Sequence, residues 1–325
     1  MGRSAQYLYV VVIKIRHCGF NYNMTQTLDA LQTAARLPWA GLVDEIALLL
    51  QDTSVRIPPR LVQPLGSGAS LFVMPAVDSH TAMTKLITLT PTNAGTSRPI
   101  IQGDVIVFDN ATGQRCLVLD GPVVTARRTA AVSVLAAKRL ASGTQGPLLI
   151  VGAGVQGKAH LEAFAAVLGT RQVMIASRSA QSAELLAQHA RSLGLSAQVV
   201  ANGDSALQSC PLTVVCTPAN SIVLGAKPRP DAFICAVGAF SPSMAELSPE
   251  LCQHMAREGT VWLDTVDAKQ EAGDLLQAGL NLQAMATLGD VVRQNIARPA
   301  GPVLFKSCGW AGWDLAAARQ ALRHI

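Results

Sequence analysis

The sequence predicts an α/β chain in which a doubly wound parallel sheet is joined to a mainly antiparallel α+β domain. Three observations carry this. Residues 148–157 read L-L-I-V-G-A-G-V-Q-G, an apolar run that passes into a glycine-rich loop and then a helical pattern. After Gly146, strand-length apolar runs alternate with helical stretches, the order expected of βα units. Before residue 125, short apolar runs succeed one another with turn residues between them, as an antiparallel meander does.

In chain order, residues 27–52 predict helix, with Val43, Ile46, Ala47 and Leu50 on one face. Strand-like runs follow at 61–63 (after Pro58-Pro59), 69–75 and 84–90. Two more at 104–109 and 115–120 flank the turn sequence N-A-T-G at 110–113. An alanine-rich helix is expected over 125–142. Beyond it, strands are expected near 148–152, 172–177, 197–201, 212–217, 232–237 and 260–264, and a last helix over 314–323. The domain boundaries read as 24–127 with 301–325 for the antiparallel part and 128–300 for the parallel one.

Half of the 325 residues are apolar and 14% are charged, which suits a substantial core in one or two domains. The net charge of +5 comes from scattered residues without a Lys/Arg run, so nucleic acid is not an expected partner. Tyr7–Ile13 is apolar but too short to cross a membrane, and Lys14 and Arg16 interrupt it. Residues 1–23 read as an extension, disordered or outside the native protein, with Met24 opening an ordinary start. The seven cysteines lack disulfide or zinc spacing and read as buried free thiols of a cytoplasmic protein. No metal constellation is expected.

The glycine loop gives the parallel domain a ligand. Gly152 allows the tight turn out of the strand, Gly154 leaves room for a pyrophosphate at the backbone, and Gly157 lets the helix pack closely. The helix N-terminus then offers free N–H groups to the phosphates. A Rossmann-type dinucleotide site is expected, with Gly152, Ala153, Gly154, Val155, Gln156 and Gly157 at its centre. No carboxylate occurs between Phe164 and Ala183 to hold a ribose 2′-OH, whereas Ser177 and Arg178 supply a hydroxyl and a guanidinium suited to a 2′-phosphate. NADPH is therefore the expected cofactor, with NADH the weaker alternative. Cys216, Thr217, Pro218, Val237 and Gly238, at later strand ends, complete the expected contacts, and Lys306 borders the cofactor or has a structural role.

Longer motifs carry a family resemblance. T-A-R-R-T-A-A-V-S (125–133), E-A-G-D-L (271–275), L-F-K-S-C-G-W-A-G-W-D-L-A-A-A (304–318) and P-P-R (58–60) resemble the ornithine cyclodeaminase/μ-crystallin family. The resemblance runs from about residue 27 to the C-terminus. It implies a homodimer joined through the antiparallel domains, a nicotinamide cofactor, and small α-amino or α-imino acid substrates. It also implies that Arg60, Lys85 and Arg128 bind the substrate carboxylate, with Lys85 and Arg128 essential to turnover. Cations converging on one anion would make a strong clamp.

One segment departs from the cyclodeaminase pattern. Where those enzymes carry a catalytic aspartate, V-G-A-F-S-P-S-M-A-E-L (237–247) has Phe240, and Met244 replaces a lysine. Glu246 reads as a helix-start residue. The segment resembles that of bacterial ketimine reductases, with Phe240 an apolar wall against the substrate ring. The expected activity is NADPH-dependent reduction of Δ1-pyrroline-2-carboxylate and Δ1-piperideine-2-carboxylate to L-proline and L-pipecolate. The alternatives are ornithine cyclodeamination and a non-catalytic NADP-binding role like that of crystallins.

Overall fold

A computed structural model describes residues 25–218 and 221–323. The expectation for residues 1–23 and the thiol of Cys18 lie outside the described residues. The chain opens with β1 (Gln26–Thr27), α1 (Ala30–Arg36) and α2 (Trp39–Leu49). The helix expected over 27–52 is thus divided, because Pro38 has no N–H to continue α1 and its preset φ suits a helix start. The meander follows: β2 (Leu61–Gly66), β3 (Ala69–Val77), β4 (Thr81–Leu89), β5 (Ile101–Asp109) and β6 (Arg115–Asp120). Together they form a sheet in the order β1-β6-β5-β4-β3-β2, antiparallel except where β1 runs parallel beside β6.

The long helix α3 (Gly121–Leu140) leaves β6 directly, with the Asp120 side chain accepting the Val123 N–H as its cap. Its buried face is rich in alanine (Ala126, Ala130, Ala131, Ala136, Ala137), which lets neighbouring elements approach closely. Arg127 turns to the ring of Trp39, 3.8 Å from its centroid, and donates to the Leu37 carbonyl. That leaves its neighbour Arg128 directed into the interior, 7% exposed.

Seven parallel strands make the second sheet: β7 (Leu148–Val151), β8 (Gln172–Ala176), β9 (Ser196–Val199), β10 (Leu212–Val215), β11 (Phe233–Ala236), β12 (Thr260–Leu263) and β13 (Val303–Lys306). Between them come α4 (Val155–Leu168), α5 (Ala180–Ser192), α6 (Gly203–Leu207), α7 (Pro249–Glu258), α8 (Ala268–Glu271), α9 (Gly273–Gln277) and α10 (Leu288–Arg293), and α11 (Ala311–Leu322) closes the chain. The order is β12-β13-β11-β10-β7-β8-β9, so the winding reverses between β7 and β10. This is the doubly wound α/β fold, and such a reversal opens a ligand crevice at the carboxyl ends of the strands.

The expected division at residue 301 needs correction. β13 lies between β11 and β12, pairing Phe233 with Val303 and Thr260 with Val303, so residues 303–306 belong to the parallel sheet. A run of only four residues, leading straight into a loop, carries too little periodicity to read as a strand. One apolar cluster extends from Leu42 and Leu117 through α3 to Leu148 and Phe233, so both sheets share a core. Six of the cysteines are free and buried, as expected. Among the described residues no helix is long and apolar enough to cross a membrane.

Candidate active site

The glycine loop has the form the spacing requires. Gly152 adopts φ +115°, a left-handed value that other residues rarely reach. A Cβ on Gly157 would overlap the Gly152 carbonyl oxygen, so the helix and turn pack too closely for any side chain there. A Cβ on Gly154 would meet no protein atom, and this residue caps α4 with no side-chain acceptor. The first N–H groups of a fourteen-residue helix therefore face open space, a suitable cradle for an anionic pyrophosphate. Residues 152–157 would hold a dinucleotide here. At the end of β8, Ser177 is half-buried and Arg178 exposed.

The later strand ends lie behind this cradle. The Cys216 thiol donates to the carbonyls of Val151 and Gly152, and burial holds its pKa well above the usual thiol value. A Cβ on Gly238 would overlap both the Glu246 carboxyl and the Thr217 carbonyl oxygen, so glycine is required there. Glu246 is therefore not a helix-start residue. α7 begins at Pro249 with Ser248 as its cap, while Glu246 is 0% exposed beneath Gly238. Burial raises its pKa to about 8, with Asp274 adding to the rise while Lys306, the Gly238 backbone and Thr217 oppose it. Lys306 is also fully buried and pairs with Asp274 at 2.6 Å, so the structure shows it as an internal counter-charge beside Glu246.

The motif E-A-G-D-L acquires a physical meaning here. The Asp274 carboxylate accepts the backbone N–H groups of Glu246 and Leu247 at 2.6 and 2.9 Å. A Cβ on Gly273 would overlap the carbonyls of Ser241 and Met244. The segment thus clamps the loop that carries Phe240, whose half-buried ring packs against the parallel-domain cluster. Glu271, the motif's first residue, pairs with Arg60 at 2.5 Å.

The expected clamp residues come together on the inner side of the antiparallel sheet. Lys85 lies mid-strand in β4, opposite Met74 and Val105, at one of the alternate positions that face inward. Its ammonium is 2.8 Å from the Asp314 carboxylate on α11, and Arg128 reaches the same carboxylate at 3.2 Å. Lys85 is 1% exposed and Asp314 0%. Burial first, then the charges of Arg128 and Arg60, lower the Lys85 pKa to about 8 against the opposing pull of Asp314. The cluster carries more positive than negative charge and suits a small carboxylate.

Asp264 supports this arrangement from the end of β12. One of its oxygens accepts from the Ser307 hydroxyl and from the N–H groups of Cys308 and Gly309. Gly309, at φ +91°, lies against the Arg128 guanidinium, where a Cβ would come within 3.3 Å of it. The Cys308 thiol contacts the Ala239 carbonyl, which brings the Phe240 loop beside the clamp. Asp264, Glu271 and Asp314 were not expected from sequence as site residues. The signal for Asp314 is a lone carboxylate between Trp313 and Leu315 in an otherwise apolar helical stretch.

Residues 21–324 match the model of the ornithine cyclodeaminase/mu-crystallin family, and the chain belongs to that family. It is 37% identical over 302 residues to Delta(1)-pyrroline-2-carboxylate reductase 1 of Burkholderia multivorans, over 91% of this chain and 95% of that protein. It is 34% identical over 298 residues to the Delta(1)-pyrroline-2-carboxylate/Delta(1)-piperideine-2-carboxylate reductase of Azospirillum brasilense, over 90% and 94%. Its fold is similar to that of the Thermococcus litoralis Delta(1)-pyrroline-2-carboxylate reductase solved with NADH and L-proline, with TM-score 0.83 at 22% identity, over 92% of this chain and 98% of that one.

Proposed function

We propose that the protein reduces the cyclic ketimines Δ1-pyrroline-2-carboxylate and Δ1-piperideine-2-carboxylate to L-proline and L-pipecolate with NADPH. The broader class, a nicotinamide-dependent oxidoreductase acting on a C=N bond, is that of the family's reductases to which the chain is similar over nine-tenths of its length. The observation that carries the reading is the buried Lys85–Asp314–Arg128 cluster beside a loop with Phe240 where cyclodeaminases have an aspartate. A phenyl ring cannot take a proton from a substrate amine, but it offers an apolar wall to ring methylenes.

Arg60, Lys85 and Arg128 bind the imine carboxylate and so fix C2 in the crevice at the strand ends. Asp314 favours the charged form of Lys85 and aligns Lys85 and Arg128, while Phe240 excludes water from one side of the ring. When bound, the dihydronicotinamide supplies the hydride. Oriented in this way, the two reactants meet as an effectively unimolecular pair. The test is oxidation of NADPH by the purified protein with each cyclic imine, followed at 340 nm. Turnover with either imine supports the reading; absence of turnover with both contradicts it.

The Lys85 pKa gives this site a pH dependence. Lys85 is charged below about 8 and loses its charge above, so KM for either imine is expected to rise as pH climbs through that value. A KM flat from pH 7 to 9.5 would remove Lys85 from carboxylate binding.

The NADPH preference rests on Ser177 and Arg178 and on the absence of an acidic side chain nearby. Arg178→Ala is expected to reduce the preference for NADPH over NADH by roughly 1–3 kcal/mol in kcat/KM, the scale of a charge-assisted contact. Equal use of both cofactors by the unmutated enzyme would refute the preference.

The partner is a second copy of the chain. Large apolar side chains exposed on the face of the antiparallel sheet away from Lys85 include Leu61 on β2 and Leu86 on β4, both in register with Val73. A sheet with such a face favours burial against a like face. The buried free thiols suit a reducing compartment, and we place the protein in the cytoplasm on that ground.

A further inference from the structure

Glu271 is a charged group at this site that carboxylate binding does not use. It ends α8 and meets Arg60 at 2.5 Å across 211 residues of chain. Its second oxygen, Oε2, is shielded from solvent and has no hydrogen-bond partner among the described residues. Facing it are Arg60 just ahead of β2, Asp264 at the end of β12 and Asp267 at the start of its own helix. Burial is the largest influence, opposed by Arg60 and reinforced by the two aspartates, and it pushes the carboxyl up to about 7. The charge of Glu271 also reaches Cys308, next to the Gly309 that lies on Arg128. The other carboxyl raised in this region, Glu246, is sealed beneath Gly238 and out of reach of any substrate.

We propose that Glu271 is the proton donor of the reaction, delivering its proton to the ring nitrogen of the imine whose carboxylate Arg60 holds. This rests on imine reduction at this site. In an α-imino acid the nitrogen and one carboxylate oxygen lie on the same edge, about one hydrogen bond apart. A group touching the arginine on that carboxylate therefore stands along the edge that carries the nitrogen. The Glu271 O–H bond breaks, and the nitrogen lone pair forms the new N–H bond. C2 of the resulting iminium gains a C–H bond from the dihydronicotinamide hydride, and the C=N π pair passes to nitrogen. The cofactor is oxidised by two electrons, and Glu271 is left as a carboxylate that regains a proton from water. Neutral Glu271 also loosens its grip on Arg60, which frees the guanidinium for substrate, and ionised Glu271 takes it back as product leaves.

The test compares the wild-type holoenzyme with Glu271→Gln, which keeps an acceptor for Arg60 but has no acid. Each is assayed from pH 5.5 to 8.5 with Δ1-piperideine-2-carboxylate and with its N-methyl iminium, which carries a permanent charge and needs no proton. With the ordinary imine, the variant is expected to lose about a hundredfold in kcat at pH 8. At pH 5.5, where solution protonates the imine, the loss should shrink to a few-fold. The N-methyl iminium should be reduced at near wild-type rates throughout. Independently of turnover, a protonated-carboxyl infrared band titrating near pH 7 should be present in wild type and absent from the variant. Glu271→Asp, which restores an acid, should recover part of the loss at pH 8.

An equal loss at every pH and with both substrates would overturn the proposal, leaving Glu271 to position Arg60. Near wild-type kcat of Glu271→Gln at pH 8, or absence of the infrared band, would overturn it as well. A wild-type protein that reduces neither imine would sink the reductase reading itself, and this proposal with it.

Discussion

Asp314→Asn is expected to do more damage than any other single change in the site, to stability and turnover together. Asp314 is 0% exposed and is the shared counter-charge of two buried cations, Lys85 at 2.8 Å and Arg128 at 3.2 Å. The amide keeps the shape and removes the charge, so two cations are left in the core without compensation. Removing one partner from a buried ion pair costs about 3–5 kcal/mol. In a chain of this size that corresponds to a fall in Tm of roughly 5–15 °C. Without Asp314, the desolvation that already lowers the Lys85 pKa goes unopposed by its largest contrary influence, so Lys85 loses its proton near neutrality. Imine reduction should fall by at least about two orders of magnitude, the scale of a lost oriented electrostatic contact. Thermal melts and kcat/KM measured on one preparation check both parts, and an unchanged Tm would contradict the role given to Asp314.

Lys85→Met and Arg128→Met should separate these two effects. Each removes a cation and leaves Asp314 paired with the other, so the interior keeps an ion pair and gains apolar volume. Because Asp314 keeps one partner in each variant, the loss of stability should be smaller than in Asp314→Asn, where both cations lose theirs. We expect folding and NADPH binding to survive, because neither residue lies in the glycine loop, while imine reduction falls by at least about a hundredfold. Fluorescence titration with NADPH and steady-state rates distinguish the outcomes. A variant with near-native turnover would remove its residue from the carboxylate site.

The contrast between these substitutions reflects what the sequence does and does not reveal. The glycine loop was legible because turn, cradle and close packing each impose glycine at a fixed spacing, and φ +115° at Gly152 with the overlap at Gly157 bears this out. The meander was legible through alternation and through turn residues such as N-A-T-G. The same alternation places Lys85 inward on β4. Asp314 was not singled out, because its partners on β4 and α3 lie far away in sequence and no local pattern joins a carboxylate to cations so distant. Arg60 was singled out, but its pairing with Glu271, 211 residues away, escaped for the same reason. Glu246 was misplaced at a helix start because a carboxylate suits a helix N-terminus, whereas the helix begins three residues later at Pro249. Ser248 is the actual cap, and the carboxyl serves the interior. Short β13 carried no period of its own, and its place between β11 and β12 follows from two partners remote in the chain.

The central claim is that this site places a hydride on C2 of a cyclic imino acid. Its most direct test uses NADPH carrying deuterium at the transferred C4 position, incubated with Δ1-piperideine-2-carboxylate and the purified protein. The account predicts pipecolate one mass unit heavier, with the deuterium located at C2 by NMR and the L configuration throughout. In parallel, L-ornithine with NAD or NADP should release no ammonia. Unlabelled product, or robust ammonia release from L-ornithine, would contradict the account and return the protein to the deaminating branch of its family.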